Sequence, residues 1–217
     1  MKIEKISVQK NPFAGLFFRT SNKITICPKN TPPKNLSQIE HVLQTKPVQT
    51  LVDDSPLLGI FTCLNDNGVV LSESADRETI SQLKKEGLNV LLLKRHAPGT
   101  NILCNSRTCM VNPDIPQPEA KKIGDCLDVE IVRQNMGVKT VGMANVVTDK
   151  GLLAYNESSD IELKFFEKVF GVNGLVGTTN FGSPFNGLSV IANSKGALVG
   201  ELTTGVEMQR VYESLEG

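Results

Sequence analysis

The sharpest chemistry in this 217-residue chain belongs to five cysteines, at 27, 63, 104, 109 and 126, and two histidines, His41 and His96. A cysteine nucleophile needs a base and a group that orients that base. Neither histidine reads as such a base. His41 lies on a helical pattern but off its apolar face, and His96 follows Lys94-Arg95 just ahead of Pro98-Gly99. Both are expected to be surface histidines. There is no Cys-x-x-Cys, so the spacing gives no zinc site. An odd number of scattered cysteines reads as buried thiols in a reducing cytosol. Cys104 and Cys109 flank a turn and would face each other across a hairpin. They are expected to pack as small apolar groups, with a disulfide open to them only if oxidised and well oriented. Nucleotide and hydrolase signatures are also missing: there is no G-x-S-x-G, Walker-type loop or G-x-G-x-x-G.

The elements that carry these residues repeat. Five tetrads read as tight turns between apolar runs: Thr20–Lys23, Asn65–Gly68, Asn105–Thr108, Thr148–Gly151 and Asn193–Gly196. Their starts are 45, 40, 43 and 45 residues apart. Asn, Asp, Ser and Gly suit such turns because they bond their own backbone or tolerate positive φ. Six positions before each tetrad stand small residues, Ala14, Gly59, Gly99, Gly142 and Gly187, as a close backbone approach requires. Eleven positions after each start stand Thr31, Asp76, Pro116, Ser159 and Thr204. Four of these are good helix N-caps. Ser159 with Glu162 and Thr204 with Glu207 make capping boxes, and Pro32 suits a first helical position.

A helical apolar stripe follows each cap: Leu36, Ile39 and Leu43; Ile80 and Leu83, stopping near Gly87; a third around 119–127; Phe166, Val169 and Phe170; and Met208, Val211, Tyr212 and Leu215. The first four helices are followed by strands at 48–52, 88–93, 129–132 and 172–176. The fifth has none, whereas 3–8 is a strand with no helix before it. If 3–8 fills the missing place, the first residues complete the last unit and close a ring without open edges.

Composition sets further bounds. The 23 basic and 23 acidic residues cancel, so no global field draws the chain to nucleic acid. Aromatic residues are only 5%, with no tryptophan, which leaves few stacking platforms for single strands. Lys84-Lys85-Glu86, Lys94-Arg95-His96 and Lys121-Lys122 read as solvated surface. No apolar run is long enough to span a membrane, and the N-terminus lacks the apolar stretch of a signal peptide.

The repeats, with small residues entering each hairpin, resemble the pentein fold, a five-bladed αβ propeller of pseudo-five-fold symmetry. In particular, Leu43–Thr50, Gly59–Leu71, Leu127–Val132 and above all Gly177–Glu207 (GTTNFGSPFNGLSVIANSKGALVGELTTGVE) resemble the translation initiation factor 6 family in its archaeal form. The resemblance implies one α/β pentein domain over 1–217, working by binding rather than catalysis and without a cofactor. It implies a cytoplasmic, monomeric ribosome anti-association factor. Such a factor binds the large subunit on the face that meets the small one, contacting ribosomal proteins near the sarcin–ricin loop of the rRNA. It further implies roles in large-subunit maturation and release by a GTPase with a partner protein, both as known in eukaryotes.

Asn101 matches the family's asparagine at the ribosome-facing end, and Gly15 and Gly59 match hairpin-entry glycines. Asn145 and Gly187 are placed there by the internal repeat. Thr100 separates Gly99 from Asn101 where the family has Gly and Asn adjacent. The chain ends at Gly217 without the eukaryotic tail, so regulation through a tail is not expected. Two alternatives stand beside this reading. Pentein enzymes that act on amidines share the fold but use a cysteine near the C-terminal end. Here the last cysteine is Cys126 and no histidine follows His96. The other alternative is a scaffold for a different partner.

Overall fold

A computed structural model describes residues 1–94 and 97–217. His96 and Arg95, expected on the surface, lie outside the described residues. After β1 (Lys2–Ile6), the strands fall into five groups along the chain. They are β2 (Arg19–Thr20), β3 (Ile24–Pro28) and β4 (Lys46–Thr50); β5 (Thr62–Leu64), β6 (Gly68–Ser72) and β7 (Asn89–Leu93); β8 (Ile102–Cys104), β9 (Thr108–Val111) and β10 (Glu130–Arg133); β11 (Val146–Val147), β12 (Gly151–Ala154) and β13 (Asn173–Val176); and β14 (Val190–Ala192) and β15 (Gly196–Gly200). Each of the first four groups is a three-stranded sheet, an antiparallel hairpin with a third strand parallel to its second. The fifth sheet takes its third strand from the other end of the chain: β1 runs parallel to β15, Lys2 opposite Gly196 and Ile6 opposite Gly200. The expected ring closure is therefore present. The inner strands β2, β5, β8, β11 and β14 touch in sequence around one axis.

Between hairpin and third strand runs a helix: Pro33–Gln38 continued by a π-helical turn Ile39–Leu43, then Arg77–Lys85, Gln117–Leu127, Asp160–Phe170 and Gly205–Glu216. Each helix is wedged between its own sheet and the preceding one, so the core is five inter-blade clusters rather than one centre. Leu83 packs with Val48, Val69 and Leu71, and Val211 and Leu215 pack with Leu153 and Val199. Tyr212, expected on the same stripe, is instead half exposed.

The repeat register holds in four units and is one residue off in the first. The residue that opens each turn accepts backbone amides through its side chain. Asn65 Oδ1 takes the amides of Asn67 and Gly68, both at 3.0 Å, and Asn193 Oδ1 takes those of Lys195 (2.9 Å) and Gly196 (3.1 Å). In the first unit Ser21 does this, through Oγ to Lys23 N (3.0 Å) and Ile24 N (3.3 Å), so that turn begins at Ser21 rather than Thr20. The shift corrects two assignments. The small residue of the first unit is Gly15, not Ala14, and the N-cap is Pro32, not Thr31. Thr31 Oγ1 instead bonds Pro28 O at 2.7 Å. Asp76, Ser159 and Thr204 cap as expected, the last two in full capping boxes.

The asparagines at these turns also explain why the blades stay in register. Asn65 Nδ2 donates to Leu127 O (2.8 Å), Asn105 Nδ2 to Phe170 O (3.1 Å) and Asn193 Nδ2 to Leu43 O (2.9 Å). Each amide thus ties one turn to the C-terminal end of the next unit's helix. These side chains are buried, so losing one strands a carbonyl at a cost of about 1–3 kcal/mol.

At the opposite end, five short helical turns carry Gly15, Gly59, Gly99, Gly142 and Gly187. A Cβ on Gly59 would overlap Gly15 O, one on Gly99 would overlap Gly59 O, and the series runs on through Gly142 and Gly187 back to Gly15. Side chains are excluded there by space, not by φ. Gly187→Ala is expected to lower stability by about 1–3 kcal/mol through overpacking. Gly205→Ala, where a Cβ meets nothing within 4 Å, should stay within about 0.5 kcal/mol; urea unfolding of both measures the contrast. Deleting residues 1–9 strips β15 of its partner and should abolish the cooperative melt, whereas a truncated chain that melts like the parent would show that closure is dispensable.

Candidate binding face

The third strand of each unit ends where the short helices begin, so one end of the ring gathers the connecting loops, the short helices and the N-termini of the long helices. Three of these loops are tight bridges, Val8 to Asn11, Val52 to Ser55 and Thr179 to Ser183. Each holds two successive non-glycine residues in the left-handed region: Gln9 and Lys10 (φ 53° and 66°), Asp53 and Asp54 (57° and 53°), and Asn180 and Phe181 (50° and 61°). Such turns normally use Asn-Gly or Asp-Gly. Asn and Asp tolerate this geometry, but Phe181 does not, and strain of this kind is typically of order 1–3 kcal/mol per residue and clusters at functional sites.

Phe181 is also 82% exposed, and its corner holds Leu202 (59%) and Val206 (83%). One carboxylate fixes this corner. Glu207 accepts from Thr204 N (2.7 Å) and Phe181 N (3.2 Å) through Oε2, and from Gly182 N (2.8 Å) and Thr178 Oγ1 (2.9 Å) through Oε1. Burial pushes its carboxyl pKa up, but these hydrogen bonds outweigh burial and hold it below the usual range. Two other helix N-termini are capped by side chains of their own, Asp76 onto Thr79 N (2.7 Å) and Ser159 with Glu162. These ends therefore offer shape more than free donors.

The axis holds a thiol beside a cation. A cavity of about 70 Å³ is lined by Arg19, Cys63, Cys104 and Asn145 among apolar residues of the inner strands. Among the described residues no carboxylate or histidine lines it. Burial pushes the Cys63 thiol up to about 12, with Arg19 pulling it part of the way down. An amidine substrate would meet a fixed cation, Arg19, and a protonated thiol without a base. At the turn end Asp149 closes the axis, accepting from Ser106 N (2.8 Å), Asn22 Nδ2 (3.1 Å) and Ser194 Oγ (3.3 Å).

The eIF-6 family profile matches residues 3–214. A Translation initiation factor 6 from Picrophilus torridus is 35% identical over 216 residues, covering 98% of this chain and 99% of its own. This chain belongs to the eIF-6 family. The proteins of that name from Saccharolobus islandicus (35% over 221 residues) and Pyrococcus abyssi (32% over 224) each align over 99% of both chains. These eIF-6 relatives are named as translation factors, not enzymes.

The five residues carried over from the eIF-6 resemblance lie on or just behind the loop-end face. Gly15, Gly59 and Gly187 are buried in the short-helix ring. Asn145 is buried too, with Nδ2 on Val141 O (3.0 Å) and Oδ1 on Tyr155 N (2.8 Å). Asn101 is half-buried. Its Nδ2 bonds Ala97 O (3.0 Å) and its Oδ1 takes Asn112 Nδ2 (2.6 Å). The two asparagines share the bond to the fourth preceding carbonyl, yet Asn101 stands two positions after Gly99 and Asn145 three after Gly142. They are analogues, not repeat equivalents.

Sequence reasoning missed Phe181 and the second role of Glu207. The signal for Phe181 was an aromatic residue at a turn tip, within Asn180-Phe181-Gly182. His41 sits on the surface as expected, beside Lys2 Nζ. The cysteines depart from expectation: the Cys104 and Cys109 sulfurs are bonded across the hairpin rather than packed as separate thiols.

Glu207→Ala should cost about 1–3 kcal/mol at neutral pH by leaving its partly buried donors without their common acceptor. Because folding lowers this pKa, the unfolded chain takes up the proton first. The stabilisation is present above the usual carboxylate range and is lost as pH falls through the folded value. The gap between parent and variant should therefore close in acid, as read from urea midpoints across a pH series.

Proposed function

We propose that this eIF-6 family member binds the large ribosomal subunit on the surface that meets the small subunit and prevents joining by occupying that space. The full-length match to proteins named as translation initiation factors carries this reading. The geometry supports it: a closed ring with a rigid, strained end needs no catalytic set to block a surface. We assign the loop end as the docking face, with Phe181 as an aromatic anchor, the kind of residue that dominates interface energetics, and Asn101 on the same end of the ring. Gly15, Gly59, Asn145 and Gly187 are buried and act by fixing the spacing of the short helices. The balanced charge favours contacts with ribosomal proteins over a purely phosphate-driven association with rRNA near the sarcin–ricin loop.

The chain acts in this reading as one rigid, monomeric, cytoplasmic domain over 1–217, released by a GTPase with its partner protein. It fits a role in large-subunit maturation as well. Among the described residues no helix is long and apolar enough to cross a membrane.

Light scattering of purified subunits tests the proposal: stoichiometric protein should lower subunit association, and an unchanged signal would refute it. In sedimentation the protein should pellet with the large subunit alone. Phe181→Ser and a bulky replacement of Asn101 should weaken that binding. Phe181→Ser should leave the melting temperature unchanged or raised, since it removes no core contact and puts a smaller residue at the strained turn. If Asn101 variants lose stability and binding equally, Asn101 belongs to the scaffold.

A further inference from the structure

Cys63, Cys104 and Cys109 stand far apart in sequence or across a turn, yet the ring brings their three sulfurs within 4.8 Å of one another. Cys63 comes from β5 and the other two from the β8–β9 hairpin, where Cys104 pairs directly with Cys109 at a Cα separation of 4.2 Å. The Cys63 and Cys104 sulfurs are 3.8 Å apart. With metal–sulfur bonds of about 2.3 Å, a tetrahedral site has sulfur–sulfur edges of about 3.8 Å. Cys63 and Cys104 also line the axial cavity, whose volume of about 70 Å³ leaves room for water beside the sulfurs.

A second observation concerns charge. Arg19 borders the same cavity, and its guanidinium donates to Thr62 O (3.3 Å) and Gly99 O (2.7 Å). Among the described residues no carboxylate pairs with it. A partly buried cation without an anion is stabilised when something negative joins it. Three thiolates around one divalent ion carry one net negative charge, which Arg19 balances.

We propose that the reduced thiols of Cys63, Cys104 and Cys109 form a zinc site on the axis, with a cavity water as fourth ligand. The bonded Cys104 and Cys109 are its oxidised, metal-free state. A dithiol reductant opens that bond, becoming a disulfide itself as Cys104 and Cys109 become thiols. Zinc then replaces the three thiol protons, which leave to solvent. Because zinc displaces the thiol protons of its ligands, uptake falls as pH is lowered. The site ties blade two to blade three, and its softness selects thiophilic ions over magnesium or calcium.

Cobalt(II) chloride titrated anaerobically into the reduced full-length chain is the test. One equivalent should give a thiolate-to-cobalt charge-transfer band with the intense visible absorption of a tetrahedral ion, and zinc should bleach both. Cys63→Ser should lose the charge-transfer intensity of one thiolate and bind more weakly, while Cys126→Ser should titrate like the parent. X-ray absorption of the zinc-loaded parent guards against a variant that misfolds: three sulfur neighbours and one light atom are expected. No band in the reduced parent, an undiminished band in Cys63→Ser, a shell of light atoms only, or re-formation of the Cys104–Cys109 bond without metal uptake would each overturn the site.

Discussion

Everything in this molecule depends on backbone meeting backbone around the axis. At one end, five short helices approach so closely that each glycine lies under the carbonyl of its neighbour. No larger residue fits there, so the radius of the ring is set by chain thickness rather than by side-chain packing. At the other end the turns lock through Asp149, whose carboxylate bonds three other units. Burial opposes ionisation of that group, but the hydrogen bonds from Ser106, Asn22 and Ser194 prevail and keep its pKa low. With both ends fixed, the blades cannot open independently, and the inter-blade clusters act as one core.

This rigidity bears on the binding reading. A body that competes for a surface by bulk must not deform, and strain at Phe181 persists only because the frame over-determines it. Glu207 is the joint between frame and display. It belongs to the capping box of the last helix and at the same time holds the amides of Phe181 and Gly182. Fold stability and surface geometry thus share a single ionised group.

Much of the frame was legible from the sequence because the signals were local. Turn residues, small residues before them and caps after them all lie within one unit, so their spacing revealed the repeat and the missing fifth strand. The first unit slipped by one because Thr20 is as plausible a turn opener as Ser21; only the hydrogen bonds of Ser21 Oγ decide between them. What could not be read was contact between units. Nothing near Asn65 in sequence indicates that its amide holds Leu127 O, and nothing near Cys63 indicates Cys104. The same limit applied to the binding face. Asn101 was accessible through resemblance, whereas Phe181 gains meaning only from its exposure and its left-handed backbone, neither of which composition encodes.

The pairing of β1 with β15 has a consequence in time. A chain leaving its site of synthesis presents Lys2–Ile6 well before the strand it must join, which follows almost two hundred residues later, and contacts so distant in sequence form slowly. Until then β1 waits as an unpaired edge and the two ends of the ring stand open. The molecule therefore becomes a closed body only after nearly all of it has been made, so a nascent copy lacks the finished shape while its own C-terminal segment is still being synthesised.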